Sequence, residues 1–156
     1  MNNYNRETDF LKELIKQVDN TGSSAWIAGE RLFLVKQKGI YKEKHNNFKN
    51  YCKQEFNISE STSYTYIKIY EKYKQNDVRG IFISHLRTIA DIVSSSEKRV
   101  ALLNTVSNFS GEINNEDIVT IASIAESEHQ KGTKDIERES RKVLIENNEE
   151  KRKQKE

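Results

Sequence analysis

Short polar and basic side chains recur at helical spacing between residues 59 and 70, and such groups suit the edges of nucleic-acid bases. Ser and Thr hydroxyls can donate or accept a hydrogen bond, and Lys can donate to guanine O6 or N7. Proteins that read the major groove present such groups on one exposed helical face. The set contains no Arg, Asn or Gln, so we expect modest base discrimination per chain. The candidate base-contacting residues are Ser61, Thr62, Tyr64, Thr65 and Lys68.

The residues before this helix predict a tight turn that follows a support helix. Asn57 tolerates the positive φ that such a turn requires. Ile58 is expected to anchor the turn in the core, and Ser59 to cap the second helix. Residues 48–70 therefore predict a helix-turn-helix, although Lys53 stands where a small residue usually packs and Ser63 where an apolar one does. These departures suggest a second helix that is rotated or packed more loosely than usual.

Positive charge is concentrated around the same motif. Residues 31–79 hold eleven basic and five acidic residues, a net charge of +6, whereas residues 1–30 and 80–125 each carry −2. A local basic field suits a polyanion, and lysines outside the reading face would contact phosphates. Glu60 opposes phosphate binding, and it either accepts from cytosine N4 or faces away. The expected phosphate contacts are Lys42, Lys44, Lys49, Lys53, Ser59, Lys72 and Lys74.

Apolar periodicity predicts helices along the whole chain, and the absence of proline permits them. We expect helices over about 7–18, 24–38, 47–56 and 60–73. Three shorter ones are expected to begin near Ser84 as a cap, within 94–96, and near Asn114 or Asn115. The predicted fold is an all-α, multi-helix orthogonal bundle that contains the helix-turn-helix. The predicted parts are an N-terminal helix (1–22), a DNA-binding domain (23–125) and a charged tail (126–156) that is helical or disordered.

Other kinds of chemistry find little support in the residues. His45, His85 and His129 are scattered, the lone Cys52 cannot complete a usual zinc site, and the glycines do not form a phosphate-binding loop. We expect no enzymatic activity, no metal and no cofactor, and we interpret His85 as a packed or capping residue. The sequence has no long apolar run and no secretory signal, so we expect a cytoplasmic protein associated with the nucleoid or a plasmid.

The layout around the motif resembles a known class of proteins. Four segments follow one another in this layout: Trp26-Ile-Ala-Gly-Glu-Arg-Leu-Phe-Leu-Val-Lys, a basic loop (residues 40–46), the helix-turn-helix motif, and Ile83-Ser-His-Leu-Arg-Thr-Ile-Ala. The layout resembles plasmid partition proteins of spirochaetes and a plasmid maintenance family of chlamydiae. The helix order over 24–125 also resembles the DNA-binding domain of ParB partition proteins. About twenty residues precede Ser24, so the nucleotide-binding domain of ParB, and the CTP-driven sliding that it supports, are not implied.

Together the residues and the resemblance predict a sequence-specific binder of double-stranded DNA. The resemblance implies a role in plasmid partition, replication control or transcriptional regulation, and it implies a partition ATPase as a partner. Because one weakly discriminating helix gives limited specificity, we expect a homodimer or higher homo-oligomer. The alternative is a helical protein-interaction adaptor with a degenerate helix-turn-helix, which the departures at Lys53 and Ser63 favour. An RNA-binding regulator is a third interpretation.

Overall fold

The computed structural model describes residues 2–127 and 132–155, and it confirms the all-α prediction. His129 lies outside the described residues. Within those ranges the chain forms helices and no strand. The helices are α1 (Asn3–Lys16), α2 (Gly22–Lys38), a 3-10 helix (Ile40–Glu43), α3 (Phe48–Phe56), α4 (Glu60–Lys72), a 3-10 helix (Gln75–Val78), α5 (Ile83–Ile92), α6 (Ser96–Asn108), α7 (Asn115–Ser127) and α8 (Thr133–Lys155).

The chain divides into two compact units, residues 1–79 and 80–156. This division differs from the predicted boundaries at residues 22 and 125. Helix α1 is not a separate part, because Tyr4 and Leu11 are buried in the same apolar cluster as Leu32, Val35 and Tyr51. The segment that carries the charge of +6 lies entirely within the first unit.

Most helix ends in the first unit follow local capping rules. The side chain of Asn2 accepts a hydrogen bond from the Asn5 backbone N–H, so α1 begins four residues earlier than predicted. Asn47 caps α3 in the same way, and Gly39 ends α2 at a φ of 68°. That left-handed conformation is unfavourable for residues with a Cβ, which explains why a glycine stands there.

Helices α2 and α4 share the most extensive helix–helix contact of the first unit, and they approach each other closely at Gly29. A Cβ on Gly29 would overlap the backbone carbonyl oxygen of Tyr66. On one side of this point Trp26 packs edge-on against Tyr70, at 5.2 Å between ring centroids, and its indole N–H donates to the carbonyl of Tyr73 at 2.9 Å. Glycine at position 29 therefore lets the two backbones approach, and the aromatic residues beside it fill the remaining space.

The second unit contains α5 to α8, with α8 packed against α6 and α7. Residues 133–155 of the predicted tail form α8. Ile136, Ser140 and Leu144 recur every four residues along α8 and are buried, whereas the opposite side is charged. These few contacts attach a highly charged helix whose own composition suggested little capacity for burial.

Asp117 links the start of α7 to the end of α8. Its carboxylate accepts hydrogen bonds from the Asn114 backbone N–H at 3.0 Å, the Asn147 amide at 2.9 Å and the Lys151 ammonium at 2.8 Å. Burial alone would raise the pKa of Asp117, but these hydrogen bonds outweigh it and hold the pKa below its usual value. Asn114 in turn accepts from the Asp117 N–H, which is a reciprocal cap of α7.

One predicted cap in the second unit is wrong. Ser84 lies in the first turn of α5 instead of capping it, and its carbonyl accepts from the Thr88 hydroxyl. Phe82 occupies the capping position without a side-chain hydrogen bond.

His85 is packed, as predicted: it is buried and lies edge-on to Phe82 at 5.3 Å between ring centroids. Burial lowers the pKa of His85, although the nearby Asp117 acts in the opposite direction.

Replacement of Gly29 by Ala tests the helix contact. Alanine favours helix by about 1 kcal/mol over glycine, yet the added methyl group must displace backbone and not a flexible side chain. We expect Gly29→Ala to lower the free energy of unfolding by about 1–3 kcal/mol. Fluorescence of Trp26, the one tryptophan of the chain, reports urea unfolding of the first unit. Gln37→Ala, at an exposed position of α2, is the control; equal stability of both variants would contradict the packing argument.

Replacement of Lys151 by Met tests the Asp117 cluster. The variant leaves a buried carboxylate with one fewer donor, so the unfolding free energy should fall by about 1–3 kcal/mol at neutral pH. Because the pKa of Asp117 is depressed in the folded state, the stabilisation is present above the unfolded-state pKa and is lost as the pH falls through the folded-state value. The deficit should therefore shrink in acid. Urea unfolding followed by circular dichroism measures it, with exposed Lys155→Met as the control; a deficit independent of pH would count against this account.

Candidate nucleic-acid interface

The turn between α3 and α4 has the geometry that its residues predict. Asn57 has a φ of 56°, and in the described part of the chain it is the one non-glycine residue with positive φ. The Ser59 hydroxyl accepts a hydrogen bond from the Thr62 backbone N–H at 3.0 Å, which caps α4. Ile58 packs against the apolar cluster of the first unit. The predictions for Asn57, Ile58 and Ser59 are confirmed as statements about local structure.

The exposed side of α4 contains three of the five candidate base-contacting residues. Ser61 is exposed, 39% of Tyr64 is exposed, and Lys68 is half-buried. Spacings of three and four residues place these side chains on one helical face, which we call the α4 face. Lys72 continues this row by one more turn and is exposed.

Two of the five candidates do not belong to the α4 face. Thr65 is only 8% exposed, and its hydroxyl donates to the Ser61 carbonyl at 3.0 Å, so the prediction that it contacts bases is corrected. Because the Thr65 hydroxyl forms its hydrogen bond within its own helix, the threonine can be buried without an unpaired polar group. Thr62 is half-buried, and its hydroxyl accepts a hydrogen bond from Ser59 at 3.0 Å as part of the cap.

The packing of Ser63 against Cys52 explains how the structure accommodates the two unusual residues of the motif, Lys53 and Ser63. Ser63 is fully buried and donates to the Glu60 carbonyl at 2.7 Å. Its neighbour in α3 is the buried Cys52, which is small, and not Lys53. Burial raises the pKa of the Cys52 thiol to about 11, although hydrogen bonding with Ser63 acts in the opposite direction. Small residues therefore do meet between α3 and α4, one position away from the expected register.

Lys36, in the last turn of α2, is the main residue that sequence reasoning missed. Its ammonium donates to the Tyr64 hydroxyl at 2.8 Å and lies 4.2 Å from the centroid of the Tyr64 ring. It also lies 5.8 Å from the ring centroid of Phe48. Lys36 was counted in the basic segment, but no short spacing connects it to Tyr64. The available signal was Gly29, because a glycine inside a helix indicates a close neighbour on that face.

Glu55 of α3 holds the basic loop between α2 and α3 in contact with α1 and α3. The Glu55 carboxylate accepts from Tyr4 at 3.0 Å, contacts His45 Nε2 at 3.2 Å and forms an ion pair with Lys12 at 3.3 Å. Burial would raise the pKa of Glu55, but the hydrogen bonds with these three partners prevail and lower it. Lys44 lies 4.9 Å from the centroid of the Tyr4 ring. The loop lysines are therefore carried on a segment that α1 and α3 hold in place.

The remaining predicted phosphate contacts are distributed around the first unit. Lys53 donates to the side chain of Asn57 at 2.9 Å and so borders the turn. The Ser59 hydroxyl already accepts the hydrogen bond that caps α4, although Ser59 itself is exposed. The other lysines of the set are all exposed, and they lie in the basic loop, in the first turn of α3, in the last turn of α4 and just after it: Lys42, Lys44, Lys49, Lys72 and Lys74.

Within residues 2–127 and 132–155, no group of three or more His, Cys, Asp or Glu side chains could hold a metal ion. No helix in the described part of the chain combines the length and the apolar character needed to cross a membrane.

Comparisons with protein-family models, with curated proteins and with solved structures gave no match to this chain. The resemblance to partition proteins therefore stays a prediction from the sequence motif and its layout.

Paired substitutions at Asn57 test the turn. An alanine in the left-handed region costs about 1–2 kcal/mol, whereas glycine adopts it without steric penalty. Both substitutions remove the hydrogen bond from Lys53, so their comparison isolates the backbone. We expect Asn57→Ala to destabilise the first unit by about 1 kcal/mol relative to Asn57→Gly, measured by urea unfolding with Trp26 fluorescence. Equal stability of the two variants would show that the positive φ is not a constraint.

Proposed function

We propose that the first unit binds double-stranded DNA and that the α4 face enters the major groove. The observation that carries this proposal is the row formed by exposed Ser61 and Tyr64 and half-buried Lys68 on a capped helix, within the segment of net charge +6. Hydroxyl and ammonium groups at this spacing can reach base edges, and a surrounding basic field attracts the phosphate backbone. A helix pair that was only structural would have no need of this concentration of lysines.

Affinity in this proposal comes mainly from phosphate contacts. Lysines lie before α3, on α3 and at the end of α4, so they can approach the backbone on both sides of a groove that α4 occupies. Each phosphate contact releases condensed counterions, which makes binding strongly dependent on salt. The short row of reading groups supplies the smaller, sequence-dependent part of the binding free energy.

We further propose that two or more copies act together on repeated or palindromic sites. With Thr65 buried, the reading face of one chain is smaller than the sequence predicted. Two half-sites restore specificity that one reading helix cannot supply. A role in plasmid partition, replication control or transcriptional regulation, with a partition ATPase as partner, is the setting that the sequence resemblance implies.

A salt titration of duplex DNA binding tests the proposal. Fluorescence anisotropy with a random duplex pool should show a steep, linear fall of log affinity with log salt. Lys49→Ala should weaken binding to all sequences and reduce the slope by about 1. Tyr64→Ala and Lys68→Ala should each cost about 1–3 kcal/mol on a selected preferred sequence. Lys16→Ala, an exposed lysine of α1, is the control and should leave the affinity unchanged.

Two results would contradict the proposal. Absent or salt-insensitive binding of the wild-type chain would favour a protein-interaction adaptor. Equal losses for Lys16→Ala and Lys49→Ala would indicate attraction by overall charge and not an oriented interface.

A further inference from the structure

We propose that Lys36 positions Tyr64 as a hydrogen-bond donor, so that the pair selects an acceptor group of the bound DNA. This inference rests on the proposed DNA binding by the α4 face. It assigns a specificity-determining role to a residue of α2, outside the helix-turn-helix itself.

The Tyr64 side chain is held on two sides before any ligand binds. The Lys36 ammonium lies 4.2 Å from its ring centroid, and the Phe48 ring lies 6.3 Å away at an interplanar angle of 52°. Phe48 is buried at the start of α3, so it forms a fixed wall. A cation against the face of an aromatic ring is attracted to its quadrupole. Tyr64 is therefore exposed at 39% yet restricted in orientation, which lowers the entropy lost on binding.

The direction of the Lys36–Tyr64 hydrogen bond determines what the hydroxyl can offer. An ammonium group has only donors, so in the 2.8 Å contact the phenolic oxygen must accept. The hydroxyl proton of Tyr64 is then not used in the contact with Lys36, so it is available for donation to a ligand. The group consequently acts as a donor to a ligand acceptor, and a donation from an adenine or cytosine amino group would compete with Lys36 for the same oxygen.

The chemistry of the DNA acceptors follows from this polarity. In the major groove, guanine presents O6 and N7, thymine presents O4 and adenine presents N7. A donating Tyr64 can therefore bond guanine, thymine or the N7 of adenine, and it disfavours the cytosine edge, which presents only a donor. Loss of Lys36 frees the phenol to donate or accept, so this preference should relax even though Tyr64 itself is unchanged.

Selection from randomised duplexes, followed by a double-mutant cycle on the selected sequence, tests the inference. Tyr64→Phe keeps the ring and removes the donor, and it should weaken binding about tenfold. Lys36→Met should relax the preference at the same base position. The double variant should lose little more than the single ones, because each single substitution already removes the oriented donor. Lys36→Arg, unlike Lys36→Met, should retain the base preference of the wild-type chain, since a guanidinium also donates to the phenol and packs against rings.

Lys38→Met is the matched control, because Lys38 is an exposed lysine of the same helix turn. It should reduce affinity for all sequences alike and leave the selected sequence unchanged. If Lys36→Met behaves as Lys38→Met does, and its effect adds to that of Tyr64→Phe, Lys36 is a phosphate contact and the inference fails while DNA binding stands. If the wild-type chain binds no duplex, both proposals fail. Circular dichroism melting establishes that each variant is folded.

Discussion

Helix α4 is placed by its contact with α2 at Gly29, where a side chain would collide with the backbone of Tyr66. The other contacts between the two helices run in opposite directions from this point. Trp26 meets Tyr70 and Tyr73 toward one end, whereas Lys36 meets Tyr64 toward the other. The rotation of α4 that results decides which residues face outward. It exposes Ser61 and Tyr64 and buries Ser63 and Thr65.

Interactions within a few residues of each other were accessible from the sequence, and interactions between distant segments were not. The cap at Ser59 and the turn at Asn57 depend on residue types within four positions, so local rules predicted them. Lys36 and Tyr64 are 28 residues apart, and Asp117 and Lys151 are 34 apart. Periodicity predicts that a helix has a buried side, but not the rotation that a neighbouring helix imposes, which is why Thr65 was assigned to the wrong side.

Buried polar residues on α4 are compatible with this packing because their own helix satisfies them. Ser63 and Thr65 donate to the carbonyls of Glu60 and Ser61, so neither hydroxyl enters the interior without a partner. Ser63 is also small enough to meet Cys52 of α3. The serine that departed from the usual helix-turn-helix pattern is therefore buried with a hydrogen-bond partner and beside a small residue.

One acidic residue of the basic segment, Glu55, is compatible with the proposed interface with a polyanion. A carboxylate near DNA would repel phosphates, yet the charge of Glu55 is matched within the first unit by Lys12 and by hydrogen bonds from Tyr4 and His45. These bonds favour its ionised form, as its lowered pKa indicates. The same carboxylate that fixes the loop therefore adds little to the external field. One residue thus supports the geometry of the basic loop without cancelling its charge.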